Sequence, residues 1–241
     1  MRGHDELAEG EAQPLGRAPD DIGSGLHEAI EDALSQLRRH AAPPVADAFA
    51  AHGPIVLFNY PRKLHPAERT VLLPPHAFLD SLIRTEEVPD DVTRWFDGGR
   101  ADPRPIVYVS LGSFLSARAD VLARVAQALS ALPVRVVLAT GSADPGALGP
   151  LPGHWLVRSF LPQIAVLEHA ALAVSHGGNN TVTEALSFDV PLLVLPFSTD
   201  QFAGAAALEM ADRAEVLDPN RATVEQLRAA VQHQLSTRVG S

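Results

Sequence analysis

The sequence contains no cysteine. That removes disulfides, thiolate nucleophiles and cysteine-ligated zinc together, and it fits a cytoplasmic protein. Basic charge is also in short supply: Lys and Arg total 19 against 29 Asp and Glu, a net charge of −10. Such a field does not favour nucleic acid or anionic membrane, so neither is expected as a partner. An anionic ligand would have to be held by local backbone donors. Long hydrophobic runs are missing as well. The stretch Val190–Pro196 falls far short of the roughly 20 residues that span a bilayer. The opening residues Met1–Glu6 lead into no apolar run of the kind a secretory leader carries. No G-x-G-x-x-G appears, which argues against a dinucleotide cofactor, and no H-E-x-x-H or carboxylate cluster points to a metal. No cofactor is therefore expected.

What the chain does have is length and apolar content. Its 241 residues, 46 % hydrophobic, can bury a core. Residues 1–25 are rich in Gly, Asp, Glu and Pro without periodicity and read as a disordered segment. Leu26, Ile30, Leu34 and Leu37 recur at helical spacing and predict a helix over 26–40, stopped by Pro43 and Pro44. Ile55–Phe58 reads as a short strand. The proline-rich stretch 59–104 reads as connector, with a possible short helix near Phe78–Arg84.

From Arg104 the texture changes to strand alternating with helix. Strands are expected at Pro105–Gly112, Val134–Thr140, Trp155–Arg158, Leu172–Ser175, Val190–Phe197 and Glu215–Leu217. Helices are expected over 121–132, from Pro162 to His169, after Gly178, over 200–211 and over 223–235. Short strands that are apolar on both faces, joined by helices, make an α/β fold with a doubly wound parallel sheet. The ligand edge of such a sheet lies beyond the carboxyl ends of its strands. The loops 112–116, 140–154, 159–163, 175–181 and 197–201 should gather there.

The stretch His176–Glu184 carries the clearest chemistry. A strand ends, two glycines turn the chain, and a helix begins. A helix start offers unpaired N–H groups and the positive end of a dipole, a seat for phosphate or diphosphate. A plainer reading exists, since Thr181 and Glu184 match the S/T-x-x-E spacing of a capping box. Two glycines, two asparagines and a histidine exceed what a cap requires. Ser110–Ser113 ends an earlier strand, where glycine and serine could bring donors to phosphate. Phe160–Gln163 offers an aromatic face and an amide, though core packing of Phe160 would also explain it. Pro196–Gln201 pairs a carboxylate with an amide, suited to sugar hydroxyls or simply to capping the next helix.

Taken in order, Phe160–Gln163, Leu167–His169, His176–Glu184, Asp189–Pro191 and Pro196–Gln201 closely resemble the donor-binding signature of the UDP-glycosyltransferase superfamily, the inverting family-1 enzymes of GT-B fold. The signature is highly specific. The resemblance implies a Rossmann-like carboxyl-terminal GT-B domain over 104–241 that binds a UDP- or dTDP-sugar. It implies that Phe160 stacks on the base, the backbone of Leu161 bonds the base edge, and Gln163 and Glu184 bond the ribose. His176, Asn180, Thr181 and backbone N–H groups near Gly178 would hold the diphosphate, joined by Ser113. Asp200 and Gln201 would hold the transferred sugar. Asp189 stands where the family usually has glycine, so strain in that turn is expected.

The resemblance also implies a preceding acceptor domain that supplies a histidine base and binds a small-molecule acceptor. Residues 26–103 resemble only its last elements and the linker, and His4 does not fit the base. No catalytic residue is therefore assigned. Two readings stand. One is a truncated glycosyltransferase. The other is a non-catalytic nucleotide-sugar-binding subunit that completes a site with an acceptor-domain chain. An epimerase of related fold is a lesser third. Apolar Ile55, Leu57 and Phe58 would be left exposed and are expected to drive association, for example as a homodimer.

Overall fold

The computed structural model describes residues 55–65, 67–79, 83, 85–112 and 118–237. The expected coil at 1–25, the helix over 26–40, His4 and Ser113 lie outside the described residues. From Val56 the chain forms one compact unit. It opens with β1 (Val56–Phe58), a 3-10 turn at Arg62–Leu64, a single helical turn α1 (Ala67–Thr70) and β2 (His76–Phe78). β1 and β2 pair in parallel, Leu57 opposite Ala77. Phe78 therefore ends a strand, and most of the rest of the short helix expected near Phe78–Arg84 (80–82 and 84) lies outside the described residues. Three residues directly after Pro74-Pro75 carry no period of their own, and pairing with β1 decides their conformation.

The next element is α2 (Asp90–Gly98), in a stretch expected to be connector. Pro89 precedes it, two aspartates occupy its first turn, and Val92, Trp95 and Phe96 face inward. Arg135 clamps its far end. That guanidinium lies 4.0 Å over the Trp95 ring and donates to the carbonyl oxygens of Trp95 and Gly99. Gly99 is the residue that permits this approach, because a Cβ there would overlap the guanidinium. Burial pushes the Arg135 pKa down, and nearby Asp102 partly restores it.

The large sheet follows: β3 (Ile106–Ser110), β4 (Arg135–Ala139), β5 (Leu156–Arg158), β6 (Leu172–Ser175), β7 (Leu192–Val194) and β8 (Ala214–Val216). All pairings are parallel, in the order β5-β4-β3-β6-β7-β8. The β7 strand is shorter than the apolar run 190–197 suggests. Helices cover both faces, as strands with two apolar faces require. On one face Val107, Val109, Val136 and Val174 meet α3 (Ala119–Ser130) and α7 (Val224–Ser236), which pack side by side. On the other, Tyr108, Val137, Ala173 and Leu192 meet α2, α4 (Gln163–Leu167), α5 (Asn179–Ser187) and α6 (Thr199–Met210). The expected α/β doubly wound parallel sheet is thus the observed one.

The strand order places a topological switch between β3 and β6. Connections leave β3 toward β4 on one side and β6 toward β7 on the other, so a crevice opens at their carboxyl ends. Ser110 and Ser175 are opposite one another in the ladder at that edge. Among the described residues no helix is long and apolar enough to cross a membrane.

Candidate functional site

A cleft of about 570 Å³ occupies the crevice. Its walls come from the ends of β3 and β4, the loop before α4, and the turn from β6 into α5. Phe160, Leu161, Gln163, His176, Gly178, Asn180, Thr181 and Gln201 all line it. Residues far apart in sequence are gathered because every contributing segment follows a strand of one parallel sheet.

The turn into α5 shows why glycine is needed. Gly177 has φ +84, a conformation L side chains rarely adopt, and a Cβ there would approach Val194 to 2.9 Å. Gly178 is the N-cap residue and makes no side-chain cap. The first-turn N–H groups of α5 are thus not closed off by their own N-cap. The capping-box reading of Thr181 and Glu184 fails for the same reason, because Thr181 lies inside the helix, three residues past its N-cap.

The His176 ring sits between two glycines. A Cβ at Gly112 would come within 2.8 Å of His176 Cε1, and one at Gly178 within 2.5 Å of Nε2. Burial pushes the imidazole pKa down, opposed by the charge of Asp200. Nδ1 is buried without a hydrogen-bond partner among the described residues. An imidazole whose pKa burial lowers can still gain a proton when an anion arrives beside it.

Phe160 is 75 % exposed, so the packing explanation for it does not hold. Its ring presents an open face at the cleft wall. Gln163 is held by its surroundings: the hydroxyls of Tyr108 and Thr181 donate to its Oε1 at 3.0 and 3.2 Å. Its Nε2 donates to Glu184 Oε2 at 2.5 Å. Glu184 is buried behind it.

Asp200 and Gln201 divide their roles. Gln201 is buried, and its Oε1 accepts from the backbone N–H of Phe197 at 2.8 Å and of Ser198 at 3.3 Å. With Ser198 it forms the capping box of α6. Asp200 is exposed, and its carboxyl pKa is lowered chiefly by a 2.7 Å hydrogen bond from the Ser198 hydroxyl. Gln201 caps the helix and lines the cleft, whereas Asp200 is not among the cleft-lining residues.

Two residues of the site carry no motif in the sequence. Tyr108 falls within the expected strand Pro105–Gly112, where a tyrosine among aliphatic neighbours signals a hydroxyl that needs a partner. Glu86, in the supposed connector, accepts from the Ile164 backbone N–H at 2.8 Å in the first turn of α4. Nothing in the local sequence marks that contact.

Comparison with known proteins places these observations in a family. Residues 72–239 match the model of the UDP-glucoronosyl and UDP-glucosyl transferase family. The demethyllactenocin mycarosyltransferase of Streptomyces fradiae is 36 % identical over 136 residues, 56 % of this chain and 30 % of that protein. The NDP-glycosyltransferase YjiC of Bacillus subtilis is 33 % identical over 132 residues, 54 % of this chain and 34 % of that one. A crystal structure of the glycosyltransferase VinC in complex with dTDP superimposes with a TM-score of 0.65 at 25 % identity, covering 91 % of this chain and 52 % of that one. The chain spans about a third of the length of these curated relatives.

Proposed function

This chain belongs to the UDP-glucoronosyl and UDP-glucosyl transferase family, and from that premise we propose that the cleft holds a UDP- or dTDP-sugar whose glycosyl group is passed to a small-molecule acceptor. The observation that carries the reading is the glycine-capped start of α5, open to the cleft beside a half-buried His176. The reading gives 104–241 to the donor-binding domain and 26–103 to the remnant of an acceptor domain and the interdomain linker. The setting is cytoplasmic.

In this reading Phe160 stacks on the pyrimidine and the Leu161 backbone bonds its edge. Gln163, backed by Glu184, meets the ribose. His176, Asn180, Thr181 and the amides at Gly178 surround the diphosphate, with Ser113 joining from the first loop. Asp200 and Gln201 hold the sugar. Displacement at the anomeric carbon from the face opposite the leaving group inverts it and expels the nucleoside diphosphate. Charge grows on the bridging oxygen as the bond breaks. Preset N–H groups and a protonated imidazole stabilise that charge most when it is fully developed, so they lower the barrier more than they tighten the ground state. The general base belongs to the acceptor side and is assigned to no residue described here.

Calorimetric titration with UDP, dTDP and NAD tests the reading. One or both pyrimidine diphosphates should bind and NAD should not. His176→Ala should abolish detectable binding, and Glu184→Ala should weaken it about tenfold. Binding that survives His176→Ala unchanged, or a preference for NAD, would remove the diphosphate from this helix start. Transferase activity that appears only on mixing with a separate acceptor-domain chain would favour the binding-subunit form of the same reading.

A further inference from the structure

Tyr108 is 2 % exposed, in a strand whose other buried side chains are mostly aliphatic. A buried phenol requires a hydrogen-bond partner, and this one donates to Gln163 Oε1 at 3.0 Å. Thr181 donates to the same oxygen at 3.2 Å, and the opposite end of the amide lies 2.5 Å from Glu184 Oε2. An amide has a donor end and an acceptor end, whereas a carboxylate only accepts. The end against Glu184 must therefore be the NH2 group, and the end against the two hydroxyls the carbonyl. Side chains from β3 and α5 thus hold one amide in one orientation. That amide lines the cleft.

Resting on the donor-site reading above, we infer that Tyr108 is a positioning residue for the nucleoside sugar. Acting through Gln163 Oε1, it turns the second Nε2–H of Gln163 toward the cleft, where that N–H donates to a ribosyl hydroxyl. Thr181 shares the task from the helix side, and Glu184 anchors the first N–H. The cleft then reads a hydroxyl oxygen by an N–H whose direction is set from the core of the sheet. A rotated amide would present its carbonyl to the carboxylate, a repulsive arrangement. The pocket cannot adapt to a nucleoside lacking the hydroxyl by flipping Gln163, so it discriminates.

Titration of the full chain with UDP and with 2′,3′-dideoxy-UDP reads this out. Wild type should bind UDP about tenfold more tightly than the dideoxy analogue. Tyr108→Phe keeps the ring that fills the core and should weaken UDP about fivefold, leaving the dideoxy affinity within about twofold. Gln163→Met should abolish the discrimination, and adding Tyr108→Phe to it should change UDP affinity by less than about twofold, because the inferred effect of the hydroxyl runs through the amide. Equal losses for both nucleotides in Tyr108→Phe, or no loss for either, would overturn the inference. Discrimination that persists in Gln163→Met would overturn it too, whatever the fate of Tyr108→Phe. If wild type binds both nucleotides equally, this inference falls while the donor-site reading stands. If it binds neither, both fall.

Discussion

His176 carries the greatest physical tension at the scale of single residues. Its ring is enclosed by Gly112 and Gly178, and burial lowers its pKa while Asp200 opposes the shift. In the unfolded chain the imidazole gains its proton at about pH 6.5. In the folded protein it gains the proton only at lower pH, so the unfolded state binds more protons in between. Its contribution to stability is complete above the ordinary histidine value and is lost as pH falls from there toward the folded value. Urea unfolding at steps between pH 7.5 and 5 should show wild type losing stability faster than His176→Gln. The difference in slope should stay below the roughly 1.4 kcal/mol per pH unit of one fully linked proton, because the ring is only partly buried. Parallel slopes would mean that the ring is not desolvated. The histidine and its glycines were legible in the sequence, because close approach of backbone to ligand leaves a compositional mark. Tyr108 and Glu86 were not, because a hydrogen bond to a distant element leaves none.

Helix ends decide much at the scale of elements. Both α5 and α6 finish in Schellman motifs. After α5 the N–H of Asp189 bonds the Leu186 carbonyl at 3.2 Å and that of Val190 bonds the Ala185 carbonyl at 2.9 Å. After α6 Asp212 and Arg213 repeat the pattern to Glu209 and Leu208. Glycine is the usual residue at such a position, yet Asp189 has φ 56 and Asp212 φ 54. The expectation of strain at Asp189 thus has a geometric basis. Partial compensation comes from Arg213, whose Nη2 lies 2.5 Å from Asp189 Oδ1. Asp189→Ala keeps the Cβ in the left-handed region and removes the ion pair, so it should lower stability by about 1–2 kcal/mol. Asp189→Gly removes the same pair but relieves the backbone, and should stay within about 0.5 kcal/mol of wild type. Denaturation midpoints of the two variants check this, and equal losses would place the cost in the ion pair alone. The alternation of strand and helix after residue 104 was readable because each strand is apolar on both faces. The α2 helix does have a local signal, in Pro89, two first-turn aspartates and the spacing of Val92, Trp95 and Phe96. Its far end is also held by Arg135, a contact from a distant strand that the local pattern does not show.

Stability is unevenly distributed over the whole molecule. The six-stranded sheet is covered on both faces, and Val107, Val136, Val137 and Val174 are fully buried. The β1–β2 pair is different. It is a two-stranded parallel sheet of three residue pairs, a form with little independent stability. One side is held by ring contacts, Phe58 stacking on Phe78 with centroids 5.2 Å apart and Tyr60 donating to or accepting from His65 Nδ1 at 2.7 Å. Leu57 in β1 is 57 % exposed, and Val71 and Leu72 between the strands are 82 % and 80 % exposed. Apolar surface of this kind loses little by opening and gains by association. Amide hydrogen exchange should therefore divide the molecule in two. The amides of β1 and β2 should exchange at least about a hundredfold faster than those of β3, β4 and β6, because local opening there exposes so little. Raising the protein concentration should slow β1 and β2 selectively if chains associate through this face, and light scattering should show the mass rising in step. Leu57→Lys should cancel the concentration dependence while leaving the sheet core unchanged. Uniform protection across both sheets at low concentration would show instead that the aromatic cluster alone suffices to hold the small one, and the exposed leucine would then have no energetic role.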